Sequence, residues 1–284
     1  MNRICAGISR ASRFSPNREN NDNAVFSQVA AYLRENGWDV HLYSEAEFIA
    51  QERDERYIFH MAREESTIDR LEKLEQACAV VVNPAQSIKN CRRDALTHIL
   101  TENGIPYPRS FTAETSCSIE ELLQKDNMGA CWLKRGDMHT IYPDDVCFAP
   151  TPDIAREQWA AFARRGIERG VVTEHLTGDL IKFYGVTGEP FFFWCYPQYS
   201  KFDKFGHELV NGAPVLYPFR ERDLQDICSQ AAGLLGLYIY GGDAIVSPDG
   251  SIHIIDLNDW PSFSPCLNEA VTHIGRALIK KFNH

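Results

Sequence analysis

The chain has 284 residues, a formal net charge of −10, 24% charged and 44% hydrophobic residues. That length can bury a sizeable core in two or three lobes, and the composition is that of a globular enzyme. No apolar run approaches the roughly 20 residues that cross a membrane, and the acidic balance excludes a general attraction to nucleic acid or anionic membranes, which leaves small molecules as the expected partners.

Residues 4–9 read as a first strand. The opening, Met1 to Ile8, lacks the long apolar segment and small-residue cleavage site of a signal peptide, so a cytoplasmic protein is expected. The nine cysteines fit that compartment: they are scattered, odd in number and never paired as Cys-x-x-Cys, which signals neither a zinc site nor a disulfide framework. A polar tract over 10–23 follows, carrying Ser9, Arg10, Arg13, Arg18 and Asn20 at or near its start and middle. From 24 the apolar residues Val25, Phe26, Val29, Ala30 and Leu33 recur at helical spacing as far as Gly37. Strands over 39–43, 57–61 and 77–82, with a helix over 66–76, complete an alternation that predicts a parallel sheet covered by helices. Ligands of such sheets lie at the carboxyl ends of the strands, where the 10–23 loop is expected. No Gly-x-Gly-x-x-Gly occurs, so a dinucleotide site is not expected.

Asn83-Pro84 breaks the alternation and marks a lobe boundary. A single helix is expected over 87–103, ended by Gly104, before Ile105-Pro106-Tyr107-Pro108 forces an extended connection. Short strands over 111–113, 130–134 and 146–149 are joined by helices over 118–124 and 152–164. A strand over 171–176 leads to Thr177-Gly178-Asp179, and 180–186 with 190–196 read as a hairpin about Thr187-Gly188-Glu189. The aromatic residues Phe191 to Trp194 alternate as strand core, and the Pro-containing, basic stretch 196–204 is a candidate lid. Helices over 222–235 and 266–282 flank the last hairpin. The expected lobes are 1–83, 84–172 and 173–284.

That last hairpin is the stretch with the clearest chemistry. Residues 243–247 and 251–257 are apolar enough for two strands, and Pro248-Asp249-Gly250 supplies the turn. Asp256 and Asn258 leave one face, and Asp243 falls across from 254–256. A surface hairpin with a polar end has a similar pattern, but Asp256 interrupts Ile252, Ile254, Ile255 and Leu257, where an unpaired carboxylate is costly to bury. Two carboxylates and an amide oxygen suit a hard cation such as Mg²⁺.

The order of four pieces resembles the ATP-grasp superfamily of ATP-dependent carboxylate-amine ligases: Asn83-Pro84 with Ile88 to Asp94 and Gly104 to Pro108; Trp132-Leu133-Lys134 before Arg135-Gly136-Asp137; Glu174-His175-Leu176 with Gly178-Asp179; and Asp243, Asp256 and Asn258 with Pro261 beyond. The resemblance implies an α/β protein of ATP-grasp fold, two α+β lobes sandwiching ATP, preceded by a Rossmann-like parallel-sheet lobe. It implies ATP and Mg²⁺, with Mn²⁺ as a substitute. Lys134 and Lys182 would hold phosphates; Glu174, with the backbone of His175 and Leu176, the adenine edge; Asp179 the ribose; and Asp243, Asp256 and Asn258 the metal. Arg220, with Arg10, Arg18, Lys201 and Lys204, is a candidate to hold a substrate carboxylate or phosphate. The implied reaction joins a small carboxylate, an amino acid or peptide, to an amine through an acyl phosphate. A kinase of the inositol polyphosphate type and a nucleotide-binding module without turnover are the alternatives. The chain departs from the pattern at Asp94-Ala95, where Asp-Lys is common, and at Gly136, the one glycine after Lys134 where several are common. It departs again at Asp256, usually glutamate, and at Gly241, often arginine.

Overall fold

The structure is a computed structural model that describes residues 3–15, 19–138, 140–197 and 210–283. Arg18, Lys201, Lys204 and most of the candidate lid over 196–204 lie outside the described residues. Three four-stranded sheets organise the chain, and the cavity between them sets the positions of the charged residues.

The first sheet is parallel, as the strand and helix alternation predicts. Its strands β1 (Ile4–Ser9), β2 (Asp39–Ser44), β3 (Tyr57–His60) and β4 (Val80–Val82) lie in the order β2-β1-β3-β4. Helix α1 (Glu19–Glu35) begins earlier than its apolar period indicates, because Asp22 in its first turn is buried and accepts from Arg10 and Ser15. Helix α2 (Glu45–Ala50), absent from the expectation, is started by a reciprocal capping box between Ser44 and Glu47. Helix α3 (Glu65–Gln76) follows the expected span closely.

The expected helix over 87–103 is two helices, α4 (Ala85–Asn90) and α5 (Arg93–Glu102). Ile88 packs with Ile58, Leu71 and Val81 of the first lobe, whereas Leu96 and Leu100 pack with Phe183 and Leu224 of the last. One straight helix cannot serve two cores, and the turn is made at Arg92, whose backbone is extended (φ −62°, ψ 138°).

The second sheet is antiparallel, with β5 (Ser110–Glu114), β6 (Cys131–Arg135), β7 (Val146–Ala149) and β8 (Arg169–Glu174) in the order β5-β8-β6-β7. Helices α6 (Glu120–Lys125) and α7 (Pro152–Arg164) cover it through Leu123, Trp159 and Phe162. Strand β8 runs to Glu174, α5 shares the core of the last lobe, and the sheet of 110–174 carries its own two helices.

The third sheet is antiparallel, with β9 (Asp179–Val186), β10 (Phe191–Cys195), β11 (Ile239–Val246) and β12 (Ile252–Asp259) in the order β10-β9-β11-β12. Helix α8 (Glu221–Leu235) buries Leu224, Cys228 and Leu235 against this sheet. Helix α9 (Leu267–Phe282) contributes Ile274, Leu278 and Phe282 to a core it shares with Val29 and Leu33 of α1, so the first and last lobes are packed together. Among the described residues no helix is long and apolar enough to cross a membrane.

Candidate active site

The floor of the cavity is the hairpin β11–β12. Asp243 lies directly opposite Asp256, and the register slips between Asp243 and Ala244. Such a bulge re-aims the side chain beside it. A Cβ on Gly242 would stand 2.1 Å from the Asp256 carbonyl oxygen, so the two strands approach there only because the residue has no side chain. Asn258 Nδ2 donates to Asp256 Oδ2 at 3.1 Å, which ties the two same-face side chains together. Lys182, opposite Asp243 on β9, donates to Asp243 Oδ1 at 3.0 Å.

Across the cavity stands Lys134 of β6. Only 8% of the residue is exposed, and its Nζ donates to the Ile255 carbonyl oxygen on β12 at 2.9 Å. Burial drives its pKa down to about 8; Asp256 and Asp243 oppose that shift and Arg93 adds to it. One ammonium from the second sheet thus reaches the acidic edge of the third.

At one end the cavity is walled by Trp132, Val146, Leu180, Ile245 and Ile255, an apolar slot bordered by Glu174, His175 and Leu176 at the end of β8. Trp132 Nε1 donates to His175 Nδ1 at 3.1 Å, and burial pushes the imidazole below its usual pKa. Glu174 accepts from Arg109 Nε at 2.9 Å, and the hydrogen bonding and charge of that guanidinium hold the carboxyl below its ordinary range. The Leu176 carbonyl accepts from Asn211 Nδ2 at 3.2 Å, and the His175 amide donates to the Ala130 carbonyl.

At the other end the first lobe contributes Arg10, Phe14, Ser15, Asp22 and Arg63. Arg10 Nη1 meets Asp22 at 2.9 Å and its Nη2 donates to the Trp260 carbonyl at 2.9 Å. Arg63 pairs with Asp259 at 2.9 Å, both side chains being 7% exposed or less. The cavity has a volume of about 330 Å³, the size of a small-molecule site.

The same three-sheet arrangement is found in solved structures. The chain superposes on the D-alanine-D-alanine ligase from Coxiella burnetii with a TM-score of 0.71, at 13% identity, covering 99% of this chain and 95% of that one. For D-alanyl-alanine synthetase A from Vibrio cholerae the TM-score is 0.72, at 10% identity, covering 100% of both chains. For the ATP-grasp ligase PsnB, complexed with a precursor peptide and AMPPNP, it is 0.65, at 15% identity, covering 99% of this chain and 97% of that one. The chain has the ATP-grasp fold. No protein-family model matches the sequence, and no curated protein matches it.

Within the ATP-grasp fold, Lys134, Glu174, His175, Leu176, Lys182, Asp243, Asp256 and Asn258 all line one cavity. Two expected site residues do not. Asp179 is buried, and its carboxylate is taken by the Val215 amide at 2.6 Å and the Tyr217 amide at 2.8 Å, so it braces a loop. Arg220 has a side chain 82% exposed, pairs with Asp223 one turn along and is not part of the cavity wall. Sequence reasoning also passed over Asp22, Arg63, Arg93 and Asn211. Arg63 had a detectable signal, since it follows the carboxyl end of a parallel strand; Arg93 is adjacent to Asp94, already notable as a departure from Asp-Lys. Among the described residues no three of His, Cys, Asp and Glu converge on one point. Asp243, Asp256 and the Asn258 amide nevertheless fit Mg²⁺, which needs only one or two carboxylates when water and phosphate complete its shell.

Proposed function

We propose that this chain is an ATP-dependent, magnesium-requiring ligase that joins a small carboxylate, an amino acid or a peptide, to an amine. The observation that carries the reading is that Lys134 of the second sheet and Asp243, Asp256 and Asn258 of the third line one cavity, with the lysine ammonium 2.9 Å from the backbone of β12. ATP and Mg²⁺, when bound, supply the phosphoryl group that activates the carboxylate as an acyl phosphate. The chain's own residues position and neutralise. Lys134 and Lys182 present ammonium groups to phosphate oxygens; Asp243, Asp256 and the Asn258 amide offer the metal its oxygens; and the apolar slot beside Glu174, His175 and Leu176 takes the base. Arg10, Ser15 and Asp22 line the end of the cavity at the first lobe, where the acceptor would enter. The parallel order of the first sheet supports a Rossmann-like reading of that lobe. The solved structures sharing the fold include a D-alanine-D-alanine ligase and an ATP-grasp ligase complexed with a precursor peptide, which favours carboxylate-amine joining over the kinase alternative.

The test is ADP release from Mg-ATP across a panel of amino acids, short peptides and polyols, with mass spectrometry of the products. Release that needs both a carboxylate and an amine, with a condensed product, supports the ligase. A phosphorylated acceptor would establish the kinase; nucleotide binding without acceptor-stimulated release would establish the binding module. Lys134→Ala and Asp256→Ala are expected to abolish turnover while the fold persists.

A further inference from the structure

Arg93, the first residue of α5, enters the same cavity and is used by none of the roles above. Its side chain is 11% exposed. Nη2 donates to Thr140 Oγ1 at 2.7 Å, while Nε and Nη1 are buried with no hydrogen-bond partner among the described residues. Asp256 Oδ2 stands 3.8 Å away, beyond hydrogen-bond reach. A guanidinium cannot shed its proton to escape burial, so the site holds a permanent positive charge with two unmet donors. Buried donors left in that condition point to a missing acceptor.

The other arginines of the cavity differ. Arg10 places Nε on the Met61 carbonyl, Nη1 on Asp22 and Nη2 on the Trp260 carbonyl. Arg63 also has a buried Nε with no partner among the described residues, but its Nη2 sits on a carboxylate, Asp259, at 2.9 Å, whereas Arg93 has two such nitrogens and no carboxylate within hydrogen-bond reach. Nor can the third sheet supply an equivalent group from Gly241: a Cβ there would lie 2.7 Å from the Phe183 carbonyl oxygen and 2.8 Å from Pro261 Cγ, so that strand position has no room for a side chain. The guanidinium facing Asp256 therefore arrives from α5. Its placement is set by the turn at Arg92 that starts α5 afresh and by a hydrogen bond from the Asp94 amide to the Gly136 carbonyl at 3.2 Å, which ties the start of α5 to the loop after Lys134.

We propose that Arg93 is a phosphate-binding residue that holds the terminal, transferring phosphoryl group of the nucleotide through Nε and Nη1, beside the metal-binding face of Asp256. This rests on the nucleotide reading of the cavity and goes beyond it by assigning the group that distinguishes a triphosphate from a diphosphate. Binding of ADP and of the non-hydrolysable AMPPNP, each with Mg²⁺, is measured by calorimetry for the full chain and for Arg93→Ala and Arg93→Lys, with a melting curve of each variant. Arg93→Ala is expected to weaken AMPPNP about tenfold or more, the loss of a charge-assisted contact, and to leave ADP within about twofold. Arg93→Lys, which keeps the charge and loses the planar donors, is expected to fall between; it carries the test if the alanine variant does not fold. Equal losses for both nucleotides, or AMPPNP affinity unchanged, would overturn the assignment while leaving the nucleotide site standing. Failure of the wild type to bind either nucleotide would remove both.

Discussion

Lys134 carries its ammonium into the protein, where one backbone carbonyl and the more distant charges of Asp243 and Asp256 replace bulk water. Its pKa is about 8 in the folded chain against an ordinary 10.5, so the folded state releases the proton before the unfolded state does. The sign of the linkage follows: the cost of the buried charge is complete below about pH 8 and fades as the pH rises toward 10.5. Each unit of that depression corresponds to about 1.4 kcal/mol. Lys134→Met is therefore expected to lose nucleotide binding yet stabilise the chain at pH 7, on the order of 1–3 kcal/mol, with the gain shrinking by pH 10. Urea unfolding at the two pH values decides it, and a pH-independent difference would show that the lysine is not held charged against its surroundings. A residue positioned for a ligand at a cost to the fold is the usual signature of a functional site.

At the scale of elements, the turn into β9 is held by buried hydrogen bonds. Asp179 begins that strand and accepts from two backbone amides, Val215 and Tyr217, while Asn211 donates to the carbonyls of Leu176 and Gly178. The segment after residue 210 is thereby latched to the end of β8 that borders the apolar slot. Asp179→Asn replaces one acceptor oxygen with a donor facing an amide, and a loss of about 1–3 kcal/mol in stability is expected. The relative affinity for ATP and 2′-deoxy-ATP should not change, because no ribose contact is removed; a shift in that ratio would return Asp179 to the nucleotide site. The hairpin β11–β12 makes the opposite case, an element whose bulge and glycines exist to bring Asp243 and Asp256 face to face.

For the molecule as a whole, the first and third lobes are joined by an apolar core and by buried charge. Arg63 follows β3 and Asp259 ends β12, yet they meet at 2.9 Å with the carboxylate side chain fully buried. Removing Arg63 takes away the cation nearest to the buried Asp259 carboxylate and leaves Arg10 Nη2 at 3.8 Å. Arg63→Met is expected to destabilise the chain by about 3–5 kcal/mol, and Arg63→Met with Asp259→Leu to recover much of it. A double-mutant cycle by chemical denaturation measures the coupling, and additive losses would mean that the pair does not bind the lobes together. Arg10, between Asp22 and the Trp260 carbonyl, closes the same seam beside the first-lobe end of the cavity.

What the residue order alone determined was whatever local periodicity can encode: the parallel first sheet from its alternating elements, the acidic hairpin from two apolar runs about Pro248-Asp249-Gly250, and Lys134 at the end of a buried strand. Side chains two apart on a strand share a face wherever the strand goes, so Asp256 and Asn258 could be paired without coordinates. The tertiary structure alone decided which charges are inside and what they meet. Asp179 reads as a ribose ligand until Val215 and Tyr217 are seen to take its carboxylate, Arg220 as a substrate ligand until it is seen in solvent, and Arg93 is passed over until the turn at Arg92 brings it to 3.8 Å from Asp256. The break between α4 and α5 has the same origin, because two cores far apart in sequence claim the two halves of one apolar pattern. Burial of a polar group depends on partners brought from distant parts of the chain, and no local spacing records them.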